Sequence, residues 1–292
     1  MTVTFLDGAG GEMKSLLFGT AGVPRSTPKP GSKAGIKRIR ELGLDCMELA
    51  FVRRVSMGEK TAAQVRETAE RLGVTLSVHG PYYINLNAAE ADKVEASRQR
   101  ILAAARVGWL CGARNIVFHA AFYHNDPPET VYERVKGHLA ELTDQLREEG
   151  VGVVLRPETT GKASQFGTLE ELLELSREVE GVAPCVDFAH MHARTGQLNS
   201  YDEFCGLLSL IEEKLGRAGL EDMHIHISGI DYGPKGEKEH LNLAEADLRY
   251  VELLRALRDF EVKGLVICES PNLEEDALIL QETYRRLVAE GK

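Results

Sequence analysis

Residues 185–196, with the sequence CVDFAHMHARTG, combine a buried strand pattern with two side chains that can bind metal ions. The apolar run ends at Asp187, and His190 follows three residues later. Asp187 could simply cap the helix that follows, with His190 nearby by chance. Alternatively, the carboxylate and the imidazole could share a divalent cation, since both groups are common ligands of such ions. The stretch alone leaves both interpretations open.

Chemically similar residues end other strand-like runs of the chain. Six consecutive predicted strands, the third to the eighth, finish at or beside a histidine or an acid: His79, His119, Glu158, Asp187 with His190, His226 and Glu269. Helix capping does not explain six such ends in succession. Buried carboxylates and imidazoles that converge on one place need cations to satisfy them.

The donor set indicates the kind of ion. Nitrogen and carboxylate ligands without thiolate suit Zn²⁺, Mn²⁺ or Fe²⁺. There are more of these residues than one tetrahedral ion needs, so they predict a site for several ions. Such sites stabilise phosphoryl oxygens and activate water. His240, in the glycine-containing loop after the seventh strand, could fold over this site.

The elements that would position these residues are eight strands, each followed by a helical pattern. The predicted strands cover residues 16–20, 46–51, 75–79, 115–119, 151–158, 183–187, 223–227 and 264–269. The predicted helices lie near residues 33–43, 60–72, 88–111, 128–149, 168–179, 200–218, 243–260 and 273–290. Such a series predicts an α/β fold, a closed (β/α)8 TIM barrel with its active site at the carboxyl ends of the strands. A doubly wound open sheet is the alternative, but no G-x-G-x-x-G follows the first strand.

Length and composition bound the class of protein. The 292 residues suit one barrel domain, predicted over residues 13–292, with a flexible extension over residues 1–12. The net charge of −10 argues against general attraction to phosphate, so a nucleic-acid partner would need a local basic patch or bound cations. The absence of a membrane-spanning stretch and of a signal-peptide pattern predicts a cytoplasmic protein, in which the five cysteines stay reduced.

Taken together, the motifs resemble the endonuclease IV (deoxyribonuclease IV) family of apurinic/apyrimidinic endonucleases, within the xylose isomerase-like barrel superfamily. The similarity runs along nearly the whole chain from about Phe18 and depends on the order and spacing of short motifs. They are HGPYYINL (79–86), FHAA (118–121), PETTGKASQFG (157–167), CVDFAHMHA (185–193), HISG (226–229), the loop with His240, and ESP (269–271).

The resemblance implies a site for two or three zinc ions, with Mn²⁺ or Fe²⁺ as other occupants. Glu158 would bridge two of the ions. The remaining ligands would be His79 and His119 for the first ion, Asp187, His226 and Glu269 for the second, and His190 and His240 for the third. The family also uses an aspartate two residues before the last histidine, where this chain has Lys238. Either Glu237, Glu239 or Asp231 replaces that aspartate, or the third ion is weakly bound or absent.

The resemblance also implies contacts with damaged double-stranded DNA. By position, Tyr82 and Tyr83 match a loop that inserts side chains beside the lesion, and Arg53 or Arg54 match a second such loop. Aromatic wedges can unstack a base step at a cost of a few kcal/mol. The other interpretation of the two tyrosines is packing of the rim over the third helix. Further lysines could make the mouth positive: Lys60, Lys162 and Lys235.

The leading hypothesis is a zinc-dependent endonuclease of DNA base-excision repair that hydrolyses the phosphodiester 5′ to an abasic site. Glu158 or Glu269 would be the catalytic group that orients or deprotonates the attacking water. The resemblance implies a monomer and no protein partner.

The main rival is a divalent-metal-dependent sugar isomerase or epimerase of the same superfamily. Such enzymes resemble this chain in four ligands of one ion: Glu158, Asp187, His226 and Glu269. His79, His119 and His240 discriminate, because a one-metal sugar enzyme does not need all three as ligands. A third reading is a non-catalytic barrel that binds a metal or nucleic acid for recognition.

Overall fold

The computed structural model describes residues 15–291, so the predicted extension over residues 1–12 lies outside the described residues. Eight parallel strands form one sheet: β1 Leu16–Ala21, β2 Cys46–Ala50, β3 Thr75–His79, β4 Asn115–Phe118, β5 Val154–Pro157, β6 Cys185–Asp187, β7 Met223–Ile227 and β8 Gly264–Cys268. Their hydrogen-bonded order is β5-β4-β3-β2-β1-β8-β7-β6. Two isolated parallel bridges, Leu155 with Val182 and Glu158 with Cys185, bring β5 back to β6. The predicted (β/α)8 barrel is confirmed.

The helices surround the barrel. They are α1 Ser32–Leu42, α2 Glu59–Leu72, α3 Ala91–Leu110, α4 Pro128–Glu148, α5 Leu169–Glu178, α6 Phe188–Thr195, α7 Tyr201–Leu215, α8 Arg217–Glu221, α9 Tyr250–Asp259 and α10 Glu274–Glu290, with a 3-10 turn at Leu243–Glu245. The predicted helix 200–218 is divided because Gly216 has φ of 71°, which an α-helix cannot continue through. Among the described residues, none of these helices is long and apolar enough to cross a membrane.

Two features at the carboxyl end of the barrel were not predicted. Helix α6 follows β6 directly and carries His190; it is absent from the eight predicted helices, although a cap by Asp187 was one interpretation of this stretch. The loop after β7 forms an antiparallel hairpin, Gly229–Gly233 with Gly236–Leu241, which carries His240. A second small ladder, Ala121–Phe122 with Gln165–Phe166, ties the loops after β4 and β5 together.

Local side-chain chemistry sets the starts of several helices. Thr168 and Glu171 form a full capping box at the start of α5, in which each side chain satisfies the other's backbone N–H. Helix α3 begins later than its pattern predicts, at Ala91, because the Asn87 side chain instead donates to Phe122 O and Asp126. These differences change element lengths without changing the barrel.

The wall of the barrel requires close contact between β1 and β2. A Cβ added at Gly19 on β1 would lie 1.8 Å from Cys46 O, on β2. By contrast, a Cβ at Gly137, on α4, would meet nothing within 4 Å.

Gly19→Ala should therefore destabilise the barrel, by about 1–3 kcal/mol or more, because the extra carbon must push β1 from β2. Gly137→Ala is the matched control. It should stabilise the chain by roughly 0.5–1 kcal/mol, since alanine is the better helix former. Urea unfolding of both variants measures the difference, and equal midpoints would contradict the requirement for close β1–β2 contact at Gly19.

Candidate metal centre

The carboxyl ends of β3 to β8 gather the predicted ligands into three groups, which share two members. In each group the possible ligand atoms lie within 4.8 Å of one another. The groups are His79 with His119 and Glu158; Glu158 with Asp187, His226 and Glu269; and Asp187 with His190 and His240. All eight predicted ligands thus lie at one mouth of the barrel.

Glu158 stands between two of these groups and is 1% exposed. Its Oε2 lies 3.2 Å from His79 Nε2 and 3.1 Å from His119 Nε2. Its Oε1 faces the other way, 3.3 Å from His226 Nδ1 and 3.2 Å from His190 Nδ1. One carboxylate oxygen per group is the arrangement that a bridging ligand requires.

Asp187 caps a helix, and the position of its second oxygen is also compatible with metal binding. Its Oδ1 accepts a hydrogen bond from the backbone N–H of His190 at 2.7 Å, which caps α6. Its Oδ2 is buried and has no hydrogen-bond partner among the described residues. Burial of an unpaired carboxylate oxygen is costly. A cation beside Glu158, His226 and Glu269 would satisfy this oxygen, so the residues fit a metal ion.

The third group contains two imidazoles that face each other. His190 Nε2 lies 3.1 Å from His240 Nε2. The opposite nitrogen of each ring faces a carbonyl, Thr159 O at 3.0 Å for His190 and Glu269 O at 3.3 Å for His240. If each Nδ1–H donates to its carbonyl, two lone pairs point at each other, and a cation between them removes the repulsion. Two nitrogens on one tetrahedral zinc lie about 3.3 Å apart at bond lengths of about 2.0–2.1 Å.

The hairpin after β7 offers one carboxylate to this third group. Asp231 is ion-paired with Lys238 at 3.2 Å, and Glu239 is exposed. Glu237 instead places Oε2 3.7 Å from His190 Nε2. Of the three acids that could replace the missing aspartate, Glu237 is the one that faces the imidazoles.

Glycines let the hairpin approach closely enough to place Glu237. The backbone N–H of Glu237 donates to Gly161 O at 3.0 Å. A Cβ at Gly161 would lie 2.6 Å from Glu237 Cβ, and one at Gly236 would lie 2.1 Å from Gly161 O. Side chains at either glycine would push the hairpin, and Glu237 with it, away from the centre.

Without metal, charges within the centre compensate one another. Burial alone would lower the pKa of His79, but its hydrogen bond to Glu158 and the charge of that carboxylate raise the pKa to about 9. Burial would raise the pKa of Glu269, but the charge of His226 outweighs burial and lowers the pKa to about 2. Burial raises the pKa of Asp187, the carboxylate with the unpaired oxygen.

A buried layer beneath the centre was missed in the sequence. Glu48, on β2, is wholly buried and lies within reach of both histidines of β7, His224 and His226. His224 Nε2 lies 3.0 Å from Glu48 Oε2. The only sequence signal for Glu48 is a charged residue inside the apolar run CMELA.

The predicted DNA-contacting residues lie at the rim of the same mouth. Tyr82 and Tyr83 are 68% and 64% exposed, so their rings are not packed over α3 as the alternative interpretation required. The backbone N–H of Tyr82 donates to Val52 O, which joins this loop to the one with Arg53 and Arg54. Both arginines are exposed, and neither has an acidic partner within 4.0 Å among residues 15–291.

The remaining histidines lie outside the centre. His192 is buried in α6 and contacts Asp247 at 3.1 Å, a partner that the sequence did not reveal. His138 lies half-buried on α4 beside Arg98.

Comparison with known proteins relates the chain to several barrels. It is 44% identical, over 273 residues, to an uncharacterized protein of Methanocaldococcus jannaschii. The alignment covers 93% of this chain and 98% of that protein. The structure of endonuclease IV from Thermus thermophilus is similar at 21% identity and a TM-score of 0.70, covering 93% and 99% of the two chains. A D-tagatose 3-epimerase-like protein is similar at 20% identity and a TM-score of 0.69, also covering 93% and 99%.

These two structural likenesses are nearly equal, so they describe the fold and do not distinguish a nuclease from an epimerase. The family model described as "Xylose isomerase-like TIM barrel" matches residues 36–288, most of the chain. The chain belongs to the xylose isomerase-like TIM barrel family.

Proposed function

We propose that this chain is a zinc-dependent endonuclease that hydrolyses the phosphodiester 5′ to an abasic site in double-stranded DNA. The observation that carries the proposal is the histidine surplus around Glu158. His79 and His119 face one of its oxygens, and His190 with His240 forms a further pair beside the other. Donors for more than one ion suit a phosphodiester, whose charge several cations can share.

Glu158 and Glu269 would have different roles in the reaction. Bound divalent ions would stabilise phosphoryl charge and lower the pKa of a coordinated water. Glu158 holds two donor groups at a fixed separation through its two oxygens. Glu269, 14% exposed, can orient the attacking water and accept its proton. Manganese or iron could occupy the same donors.

The rim suits the DNA part of this proposal. Exposed Tyr82 and Tyr83 can stack on bases beside the lesion, where unstacking costs least. Arg53 and Arg54 can contact phosphates, which the acidic body of the chain otherwise repels. The Tyr82 ring also lies 6.0 Å from the His79 ring, so a stacked nucleotide would border the centre. We expect the protein to act as a cytoplasmic monomer.

A sugar isomerase or epimerase with one ion is the second candidate. Glu158, Asp187, His226 and Glu269 form one group that suffices for a single ion. Glu158 and Glu269 could then move protons at a sugar carbon. The fold is shared to nearly the same degree with a D-tagatose 3-epimerase-like protein and with endonuclease IV, so it does not weigh against this candidate.

Cleavage of a duplex that carries one synthetic abasic site decides between them. The Zn²⁺- or Mn²⁺-loaded protein should incise on the 5′ side, and EDTA should abolish incision. Glu158→Gln and His79→Ala should each lower the rate by about 100-fold or more, because each removes a proposed ligand of the ions that stabilise the charge on the phosphate. His138→Ala, on the outer helix α4, is the control and should retain full activity. Metal-loaded protein that leaves the duplex intact, yet converts ketoses, would identify the sugar enzyme.

The third ion has its own test on the hairpin. Glu237→Gln should weaken or abolish binding of one ion per chain, because it removes the carboxylate that faces His190. Glu239→Gln makes the same charge change at an exposed position of the same hairpin and should leave stoichiometry unchanged. Equilibrium dialysis with elemental analysis counts the ions. Equal stoichiometry in both variants would exclude Glu237 as a ligand.

Stability of the metal-free chain should fall as pH rises from about 6.5 to 9. The folded pKa of His79 is about 9, above its unfolded value of 6.5, so its contribution is fully present below 6.5 and lost as pH approaches 9. Each proton that the folded chain holds and the unfolded chain has lost lowers the free energy of unfolding by about 1.4 kcal/mol per pH unit. Urea unfolding in EDTA measures this slope, which zinc should flatten by replacing the protons. A free energy of unfolding that increases between pH 6.5 and 9 would contradict the raised pKa of His79 in the folded chain.

A further inference from the structure

Glu48 is the buried acid that the proposed ligand set does not use. It lies on β2 with its side chain inside the barrel, directly beneath the metal centre, and is 0% exposed. A carboxylate in such a place is costly unless charged or hydrogen-bonding groups surround it. Its neighbours therefore indicate what it does.

Two neighbours anchor one oxygen of Glu48. Ser77 Oγ donates to Oε2 at 2.9 Å, and His224 Nε2 lies 3.0 Å from the same oxygen. Both come from strands beside or across the barrel, β3 and β7, and both are fully buried. With Oε2 held on two sides, the direction of Oε1 is fixed.

The fixed Oε1 is directed at His226. It lies 3.2 Å from His226 Nε2, out of line for a full hydrogen bond. Neither Glu48 Oε1 nor His226 Nε2 has a hydrogen-bond partner among the described residues. The opposite nitrogen of the ring, Nδ1, faces Glu158 Oε1 at 3.3 Å and Glu269 Oε2 at 3.5 Å. The imidazole thus spans the gap between Glu48 and the ligand group.

We propose that Glu48 is the positioning residue of His226: it holds the ring proton on Nε2 and so presents the Nδ1 lone pair to the cation held with Glu158, Asp187 and Glu269. A carboxylate behind a metal-binding imidazole fixes its tautomer and orientation and increases its basicity. Ser77 and His224 act one step further back, as anchors of Glu48. The inference rests on the proposed metal centre and adds a residue to it.

The same layer contains a different possibility, which the test must separate. Cys185, His224 and His226 also bring ligand atoms within 4.8 Å of one another. An ion bound there would have a sulfur ligand and would compete with Glu48 for His226. Burial raises the pKa of the Cys185 thiol, which disfavours the thiolate that such an ion needs.

Metal affinity of Glu48→Gln, with Glu274→Gln as its matched control, tests the role of Glu48. Gln keeps the volume and one acceptor but loses the charge. Chelator competition with Zn²⁺ should show affinity at the group with His226 lowered by about 10- to 100-fold. Glu274→Gln makes the same change at another buried carboxylate, which accepts from the backbone N–H groups of Arg25 and Ser26 and belongs to none of the ligand groups, so it should leave affinity unchanged. Unchanged affinity in folded Glu48→Gln would overturn the proposal.

Nitrogen NMR of the zinc-loaded wild-type chain gives a second readout that does not depend on any variant folding. His226 should carry its proton on Nε2 and coordinate through Nδ1, and the reverse would reject the role of Glu48. Co²⁺-loaded protein should lack sulfur-to-cobalt charge-transfer absorption. Such absorption, lost in Cys185→Ser, would assign the ion to the lower group instead.

These outcomes separate the two proposals. Metal binding that depends on Glu48, in a protein that leaves abasic DNA intact, rejects the nuclease and retains the role of Glu48. If the protein cleaves abasic DNA and Glu48→Gln does not change its metal affinity, the nuclease proposal stands and the role of Glu48 is rejected.

Discussion

Four buried or nearly buried carboxylates in one barrel mouth set the main constraint on this molecule: Glu48, Glu158, Asp187 and Glu269. Charges of one sign at such separations repel strongly in a medium that excludes water. Imidazoles face these carboxylates, and the negative charge raises the pKa values of His79, His190 and His226 against the effect of burial. The clustered carboxylates therefore favour positive charge at this mouth, supplied either by protons or by bound metal ions.

The barrel keeps these groups in place where its own hydrogen bonding is thinnest. β5 and β6 meet only through two isolated bridges, and one of them joins Glu158 to Cys185. The gap above is closed by helix α6 and the loop after β5. Arg194, on α6, donates to the carbonyls of Thr160, Lys162 and Gln165 and so fixes that loop. The segment that bears Glu158 is thus held from the side by the half-buried guanidinium of Arg194 as well as by the sheet.

Much of this centre could be predicted because a parallel barrel converts chain order into position. Once eight strands are recognised, their last residues must share a rim, so His79, His119 and Glu158 could be placed together without coordinates. The same logic could not find Glu48, because it lies inside a strand and its partners come from β3 and β7. Helix α6 was left out of the predicted helices for a different reason: with only eight residues it is too short for an apolar period to stand out, although a cap by Asp187 was one interpretation of this stretch.

The hairpin has Lys238 where the resemblance implies an aspartate, yet it still turns one carboxylate toward the imidazole pair. Lys238 pairs outward with Asp231, which removes both residues from the imidazole pair. The strand register shifts between Asp231 and Tyr232, and the hairpin seats its glycine turn against Gly161. The residue then turned toward His190 is Glu237, one position earlier and one methylene longer than the aspartate it would replace. A longer side chain from a shifted backbone can reach the same ion, so the loss of one ligand position in the sequence need not mean the loss of the site.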